Sequence, residues 1–501
     1  MTMTNSDTIV APATGRGGAI AIVRVSGPRA IALCDEMFVP RDGQSLSRAA
    51  GYTVHFGEIR GRNADGDFSY AEQNVEKNGT RLKIRAAGAE KEGPTAEVVD
   101  EVLVTVFRAP HSYTGEDSVE ISCHASTYIE NRIIQMLIAS GARAATAGEF
   151  TVRAFLAGKM DLAQAEAVAD LIASSGRAQH TLAMGQLRGG VSSALAALRG
   201  ELVELAALLE LELDFGEEEV EFASRDRLGT LAAGIARELD TLAGSFALGN
   251  AIRRGVPVAI VGRPNAGKST LLNALVGDDR AMVSEVAGTT RDRIEERVTV
   301  EGVEFRFIDT AGLRATDDRL EQMGIDRARE AVAGAHIVLL VVDAGGAGGA
   351  GAVGMADVAD VAEVAGQVAD LKLRPDQRLC VVVNKVDKVS APPEFEEFES
   401  VVLSAKTGTG LDALRAWLSA SVDVSALEAG AEVISGARHF EALTRAREAV
   451  TRALSGLEAG VSADLLAEDV REVLHHLGTI TGAVTSDDIL GAIFSKFCIG
   501  K

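Results

Sequence analysis

Cysteine is scarce in this chain, four in 501 residues. Cys34, Cys123, Cys380 and Cys498 lie far apart and form no CxxC pair or metal-ligand cluster, which argues against a disulfide framework or a zinc site and fits a reducing cytoplasm. Basic residues are in deficit: 50 Lys and Arg against 72 Asp and Glu give a net charge of −22, so the surface as a whole is no general nucleic-acid binder. Any RNA contact must use local basic patches. Long apolar runs are missing too. The longest strand-like stretch, Ile337 to Val342, is closed by Asp343, well short of the roughly 18 residues that a membrane-spanning helix needs. The first fifteen residues hold no Lys or Arg, so the positive start of a signal peptide is lacking. The expectation is a soluble, cytoplasmic protein with no membrane association.

What is present suffices for folding. With 47% apolar and 24% charged residues, disorder and collagen-like repeats are poor readings, and the length gives room for about three domains. From Thr8 to about Val106 the apolar segments are short and β-branched, as in Ala19-Ile-Ala-Ile-Val-Arg-Val25 and Val102-Leu-Val-Thr-Val106, which predicts an α+β domain. Arg60 to Pro94 interrupts it with a polar stretch, read as an inserted surface hairpin or loop. After Gly158 the period changes to three and four (Leu195, Leu198, Leu202, Leu205, Leu209; Leu228, Leu231, Ile235, Leu242), which predicts long amphipathic helices in a bundle. The acidic segment Asp214 to Glu221 between them reads as a solvated helix end or turn, with a partner or cation site as the alternative. From Val256 to about Leu418 apolar strands, Gly-rich loops and helices alternate. Past Ala437 helical spacing returns with Phe440, Leu443, Val450, Leu454, Leu466, Val470, Val473 and Leu477. The pattern predicts an α/β domain inserted into a helical one whose two parts pack together. Ala344 to Val368, rich in Gly and Ala, reads as a flexible surface insertion.

The inserted domain carries the chemistry. Strand Val256-Pro-Val-Ala-Ile-Val261 runs into Gly262-Arg-Pro-Asn-Ala-Gly-Lys-Ser269 and an apolar-faced helix starting at Thr270, the GxxxxGK[ST] pattern in the context it requires. Backbone N–H groups around Asn265, Ala266 and Gly267 would wrap phosphates, Lys268 would neutralise their charge, and Ser269 would bind Mg²⁺. Strand Phe305-Arg-Phe-Ile308 ends in Asp309-Thr310-Ala311-Gly312, a carboxylate for the metal's water shell and a backbone N–H for the γ-phosphate. Strand Leu379 to Val383 ends in Asn384-Lys385-Val-Asp387, whose Asp can accept from the N1–H and exocyclic amine of guanine; adenine offers no such pair, so this element selects GTP. Ser404-Ala405-Lys406 would complete the base pocket. Gly288-Thr289-Thr290-Arg-Asp292 is the candidate switch, with Thr290 holding Mg²⁺ only when the γ-phosphate orders the loop. Ras-like enzymes orient the attacking water with a Gln after the DxxG glycine; here Leu313 stands there, and the acidic segment Asp317 to Glu321 is the local source of a replacement.

Together GRPNAGKS, AGTTRD, DTAGLR, NKxD and SAK resemble the Era-like branch of translation-factor-related GTPases. The flanks narrow this. Asp7-Thr-Ile-Val-Ala-Pro12, Gly15-Arg-Gly-Gly18, Tyr113-Thr-Gly-Glu-Asp117, Gly148-Glu-Phe-Thr151, Arg153-Ala-Phe-Leu156, Asp161 to Val168, and Phe497-Cys-Ile-Gly-Lys501 resemble the TrmE (MnmE) family of tRNA modification GTPases over nearly the whole chain. The two insertions fall outside the pattern.

The resemblance implies a multidomain α/β and α fold: an α+β N-terminal folate-binding and dimerisation domain (1–155), a discontinuous helical bundle (156–250 and 426–501), and an inserted P-loop, Ras-like G domain (251–425). It implies a homodimer that works with the FAD-dependent MnmG (GidA) in a heterotetramer or larger complex. The reaction adds an aminomethyl or carboxymethylaminomethyl group to carbon 5 of the wobble uridine of certain tRNAs. A tetrahydrofolate derivative, 5-formyl or methylene, would occupy the folate site, with Arg24, Glu120, Lys159 and Lys501 at the positions of its ligands. Lys159 stands where some relatives carry Arg. Glu321 matches the residue that orients the attacking water, and K⁺ replaces an arginine finger, held by Asn265 and by Ser284, Val286 and Thr289. Cys498 matches the terminal cysteine, a candidate catalytic residue whose other reading is a small buried hydrophobe. GTP binding would drive G-domain dimerisation. The alternative from another class is a ribosome-assembly or signalling switch with the same G motifs and no small-molecule chemistry. A stand-alone folate enzyme with a vestigial G domain is disfavoured by the intact nucleotide motifs.

Overall fold

The structure, a computed structural model, describes residues 7–15, 17–61, 71–77, 80–86, 97–214, 225–279, 296–308, 329–345, 361–389, 392–393, 395–495, 497–498 and 500. These form two compact units, residues 1–169 with 481–501, and residues 170–480. Among the described residues no helix is long and apolar enough to cross a membrane.

The first unit is built on strands β1 (Ile9–Pro12), β2 (Ile20–Ser26), β3 (Phe38–Pro40), β4 (Thr53–Arg60), β5 (Ala71–Lys77), β6 (Thr80–Ala86), β7 (Val98–Phe107), β8 (Ser118–His124) and β9 (Arg143–Ala144). Seven of them form one sheet in the order β3-β4-β7-β8-β2-β1-β9, while β5 and β6 pair separately as a hairpin inside the polar stretch 60–94. Alternation sorts the side chains. Val102, Val104 and Val106 of β7 and Val119, Ile121 and Cys123 of β8 are buried on one face. Helices α1 (Ala30–Met37) and α2 (Thr127–Ala139) cover that face with Leu33, Met37, Ile133 and Leu137. The other face leaves Val54, Phe56 and Leu103 at 59%, 43% and 48% exposure, Phe56 directly opposite Leu103. A smaller core joins α3 (Glu149–Leu156) and α4 (Leu162–Ala173) to the helix Asp487–Phe494 through Val152, Leu162, Ala165, Phe494 and Phe497.

Arg24 lies inside β2, flanked by β8 and β1, and its side chain is 19% exposed. The strand continues because both neighbours pair with it as far as Ser26.

The second unit contains helices α5 (Arg177–Leu187), α6 (Gly190–Asp214), α7 (Arg225–Gly244) and α8 (Phe246–Arg254), and six further strands: β10 (Val256–Val261), β11 (Glu296–Val300), β12 (Val303–Ile308), β13 (Ile337–Asp343), β14 (Arg378–Asn384) and β15 (Ser400–Val402). The sheet order is β11-β12-β10-β13-β14-β15, all parallel except the β11–β12 hairpin. Parallel strands need cover on both faces, hence the unbroken apolar run Ile337 to Val342. Leu271 and Leu275 of α9 (Lys268–Asp279) and Leu414 and Leu418 of a later helix bury one face; Val364 of α10 (Val361–Leu371) lies in the core on the other. That later helix is α11 (Leu411–Ala420); a single turn, α12 (Ser425–Glu428), follows it. The chain then returns as α13 (Ala437–Glu458) and α14 (Ala463–Thr481). Leu228, Ile235 and Leu239 of α7 and Ala442, Ala446, Val450 and Ala453 of α13 are buried where these two helices pack, the alanines allowing close approach. Phe246 and Phe440 stack with centroids 4.4 Å apart. The two helical stretches, separated in sequence by the whole sheet, therefore share one core.

Candidate functional sites

The described nucleotide motifs, 262–269, 384–387 and 404–406, meet at the C-terminal ends of β10 and β14, the crevice where open α/β sheets bind ligands. From β10 the chain wraps through 262–267 into α9. The wrap depends on conformations that side chains resist: Gly262 has φ +141° with Val341 O only 2.2 Å from where a Cβ would stand, and Gly267 has φ +98° with Asn384 Nδ2 at 2.2 Å. Asn265 is left-handed at φ +62°. A Cβ at Gly262 would collide with the β13 backbone and one at Gly267 with the Asn384 amide, so this close-packed wrap needs glycine at both positions, as the phosphate-binding pattern requires. Lys268 Nζ donates to Gly262 O and Arg263 O, both at 2.7 Å, and burial pulls its ammonium below the ordinary lysine value. The cation is thus held in the mouth of the loop, where phosphate oxygens would compete for its donors. Ser269 and Thr270 are exposed in the first turn of α9, and Ala266 is buried.

Asn384, 2% exposed, ties this loop to the base side with both ends of its amide. Its Nδ2 donates to Ala266 O at 2.9 Å, while Oδ1 accepts from the N–H groups of Lys385 at 2.8 Å and Ala405 at 2.9 Å. Lys385 Nζ donates to Asn265 O and pairs with Asp343 at 2.7 Å. Asp387 accepts from Ser404 Oγ at 2.7 Å, and that hydrogen bond holds its carboxyl below the ordinary range. It therefore stands as an ionised acceptor at neutral pH; Lys406 beside it is exposed. The sequence motifs did not single out Asp343, although its position as the charge that closes the most apolar strand was the available signal. Ser284, Val286, Thr289, Thr290, Asp309, Thr310, Ala311, Gly312, Leu313 and Glu321 lie outside the described residues.

The second site belongs to the first unit. Arg24 and Glu120 face each other in the β2–β8 register, and Arg24 Nε and Nη2 both donate to Glu120 Oε1, at 2.9 and 2.8 Å. The guanidinium carbon sits 5.7 Å from the ring centroids of both Tyr113 and Phe150. Its Nη1 donates to Gly500 O at 3.2 Å, which brings the C-terminal tail to the pair. Gly500 has φ +99°, and a Cβ there would stand 2.0 Å from Pro12 O; the tail lies directly on β1. Gly148 N donates to Cys498 O at 3.3 Å. Cys498 is exposed, whereas Cys34, Cys123 and Cys380 are buried. Burial pushes the buried thiols up, Cys123 to about 11 and Cys380 to about 12. The buried-hydrophobe reading of Cys498 is thereby corrected: the tail runs over the surface of β1 and leaves its side chain in solvent. Lys159 is exposed in the turn after α3, its stem beside Gly115, and Lys501 lies outside the described residues. Phe150 is fully buried and backs the guanidinium from the core, whereas Tyr113 is 37% exposed; a guanidinium, a carboxylate and that one accessible ring suit a planar heterocycle with an amide edge, as a pterin has.

Beneath this site runs an ionic network that sequence reasoning did not resolve residue by residue. Arg153, 5% exposed, pairs with Asp7 at 2.7 Å, Glu149 at 3.0 Å and Glu116 at 3.2 Å. Arg143 pairs with Glu149 at 2.6 Å and Asp7 at 2.8 Å. Burial opposes ionisation of Glu149, but hydrogen bonds from Arg143, the Thr146 N–H and Arg153 outweigh it and hold its carboxyl down at about 2. Tyr113 Oη lies 2.9 Å from Thr151 Oγ1. Asp7, Glu116, Glu149 and Arg153 each stand inside a segment that carries the family resemblance, which was the signal available.

The family models for the GTP-binding protein TrmE N-terminus and the MnmE helical domain match residues 8–159 and 162–498. A tRNA modification GTPase MnmE from Christiangramia forsetii is 44% identical over 511 residues, covering 99% of both chains. One from Phocaeicola vulgatus is 44% identical over 517 residues and covers 100% of both. Among solved structures, a GTP-binding protein from Sulfolobus solfataricus in complex with GDP matches 45% of this chain and 66% of its own at 17% identity, with a TM-score of 0.25, too slight a likeness to bear on function.

Proposed function

The chain belongs to the MnmE family of tRNA modification GTPases, and on that premise we propose that it is the GTP-hydrolysing subunit of a complex that builds the aminomethyl or carboxymethylaminomethyl group on carbon 5 of the tRNA wobble uridine. Residues 251–425 act as the G domain, 1–155 as the folate-binding and dimerising domain, and 156–250 with 426–501 as the helical connection between G domain and tail. Arg24, Glu120, Lys159 and Lys501 would hold a tetrahydrofolate derivative as the source of the one-carbon unit, and the FAD-dependent MnmG is the partner. GTP is held by the loop around Lys268 and by Asn384 and Asp387. Mg²⁺ falls to Ser269 and Thr290, and K⁺ to Asn265, Ser284, Val286 and Thr289. Glu321 orients the attacking water. The cytoplasm is the compartment where tRNA and a folate pool meet.

The observation that supports this reading is the seating of Gly500, within the Cys-Ile-Gly-Lys sequence, against Arg24 and β1. A pure GTPase switch requires neither the Arg24–Glu120 pair nor the tail. The exposed apolar row Val54, Phe56 and Leu103 on the open sheet face supports a homodimer, since large side chains at such a face are usually covered. The test is nucleoside mass spectrometry of tRNA from cells lacking the protein, complemented with the full chain or with one truncated before Cys498. Loss of the modified uridine, restored only by the full chain, is the expected result. An unaltered nucleoside profile in a strain with no second copy would favour the ribosome-assembly or signalling switch instead.

A further inference from the structure

Glu304 is a carboxylate 5% exposed at the start of β12, on the strand that leads into the Asp309 motif but outside every motif that reads the nucleotide. Its Oε1 accepts from Arg297 Nη1 on β11 at 2.6 Å, Ser175 Oγ donates to its Oε2, and Gln179 Nε2 of α5 lies 3.4 Å from Oε1. Gln179 also reaches Arg253 O at the end of α8, at 3.5 Å, and Arg253 Nε donates to Asp170 at 2.8 Å. Gly255 links α8 to β10 with φ +82°, and a Cβ there would stand 2.9 Å from Glu304 Oε1. One buried carboxylate therefore touches the β11–β12 hairpin, the start of α5, and the link from the helical part into the sheet.

The place of that hairpin in the chain gives the contact its meaning. β11 follows the AGTTRD segment and β12 runs directly into Asp309, so the two segments expected to sense the γ-phosphate are attached to the open ends of one hairpin. Its turn is at the other end, where Gly302 O accepts from Ala178 N of α5 at 2.9 Å and Gly176 is so close that a Cβ would lie 2.6 Å from that oxygen. β10 begins opposite Phe305, so the turn and Glu304 project past the first residue of β10 toward α5. Cross-strand hydrogen bonds make such a ribbon move as a body. A buried carboxylate surrounded by donors tolerates the loss of any one poorly, which favours two discrete arrangements over a gradual slide.

We propose that Glu304 is a positioning residue that passes the nucleotide state of the G domain to α5 and the helical part, coupling GTP hydrolysis to tRNA modification. The proposal rests on the function proposed above. Its test uses the full chain with Glu304→Gln, which keeps shape and removes charge. Expected are GTP affinity and hydrolysis rate within about threefold of wild type, while GTP hydrolysed per uridine modified rises at least tenfold. Amide exchange of residues 177–187 should differ between GDP and a non-hydrolysable GTP analogue in the wild type and lose that difference in the variant; a purely structural role would change both nucleotide states alike. An unchanged hydrolysis-to-modification ratio, or a nucleotide-dependent exchange difference that survives in Glu304→Gln, overturns the proposal. Ser175→Ala removes one donor from the helical side and carries the same comparison if Glu304→Gln does not fold. The exchange arm needs no tRNA, so absence of modification in the wild type would fail the function reading and leave this one to be judged by exchange alone.

Discussion

Replacing Gly500 by Ala should separate the two activities of this protein. At φ +99° an L side chain is disfavoured by about 1–2 kcal/mol. Its Cβ would meet Pro12 O at 2.0 Å and Pro12 C at 3.0 Å, so the tail must lift off β1, and the backbone oxygen that accepts from Arg24 at 3.2 Å goes with it. Losing a hydrogen bond to a charged group adds roughly 1.5–3 kcal/mol. A total of about 2.5–5 kcal/mol against the seated tail lowers its population roughly 60- to 4,000-fold, at about 1.4 kcal/mol per factor of ten. Fold stability should change little, because Phe494 and Phe497 still anchor the segment in its own small core. The expected outcome in purified complex is uridine modification reduced at least tenfold, with GTP turnover within about twofold of wild type. Cys498 is already exposed and labels in either state, so the control for folding is that the buried Cys34, Cys123 and Cys380 stay unreactive toward a thiol reagent. Wild-type modification by Gly500→Ala would refute the argument that the seated tail is part of the site.

Glu149→Gln should cost roughly 3 kcal/mol of stability at pH 7, the free energy of lowering a carboxyl from 4.5 to about 2. Because the folded-state value is depressed, that stabilisation is complete above about pH 4.5 and is lost as pH falls through about 2. Urea unfolding followed by exchange of the β1 and β2 amides should show the gap between wild type and variant closing over that window; a gap independent of pH would contradict the assignment. Asp387→Asn replaces an acceptor by a donor and should weaken GTP binding roughly tenfold or more while improving binding of xanthosine triphosphate, checked by nucleotide titration. Glu321→Ala should bind GTP normally but hydrolyse it at least about tenfold more slowly, and exchanging K⁺ for Na⁺ at equal ionic strength should slow the wild type. Equal rates in the two salts would remove the K⁺ assignment.

The local rules of the sequence placed most of the architecture. Period-two apolar segments became the seven-stranded sheet, steps of three and four became α6, α7, α13 and α14, and the strand–loop–helix motif identified the nucleotide loop without reference to any coordinate. These features depend on neighbours in the chain, so spacing alone exposes them. Contacts across long separations are not encoded in that way. That Arg24 lies inside a sheet, opposite Glu120 and near the rings of Tyr113 and Phe150, follows from the pairing of β2 with both β8 and β1. The tail's position on β1 depends on Gly500 having no Cβ where Pro12 O stands, 488 residues away in sequence (500 − 12). Asn384 could be read as part of a guanine motif, but its second role, holding Ala266 and Ala405 together, appears only when three loops have met. Glu304 drew no attention in the sequence because a lone glutamate at the start of a strand is ordinarily solvated. It becomes buried and bonded only when a hairpin from the sheet and a helix from outside it close over the same carboxylate.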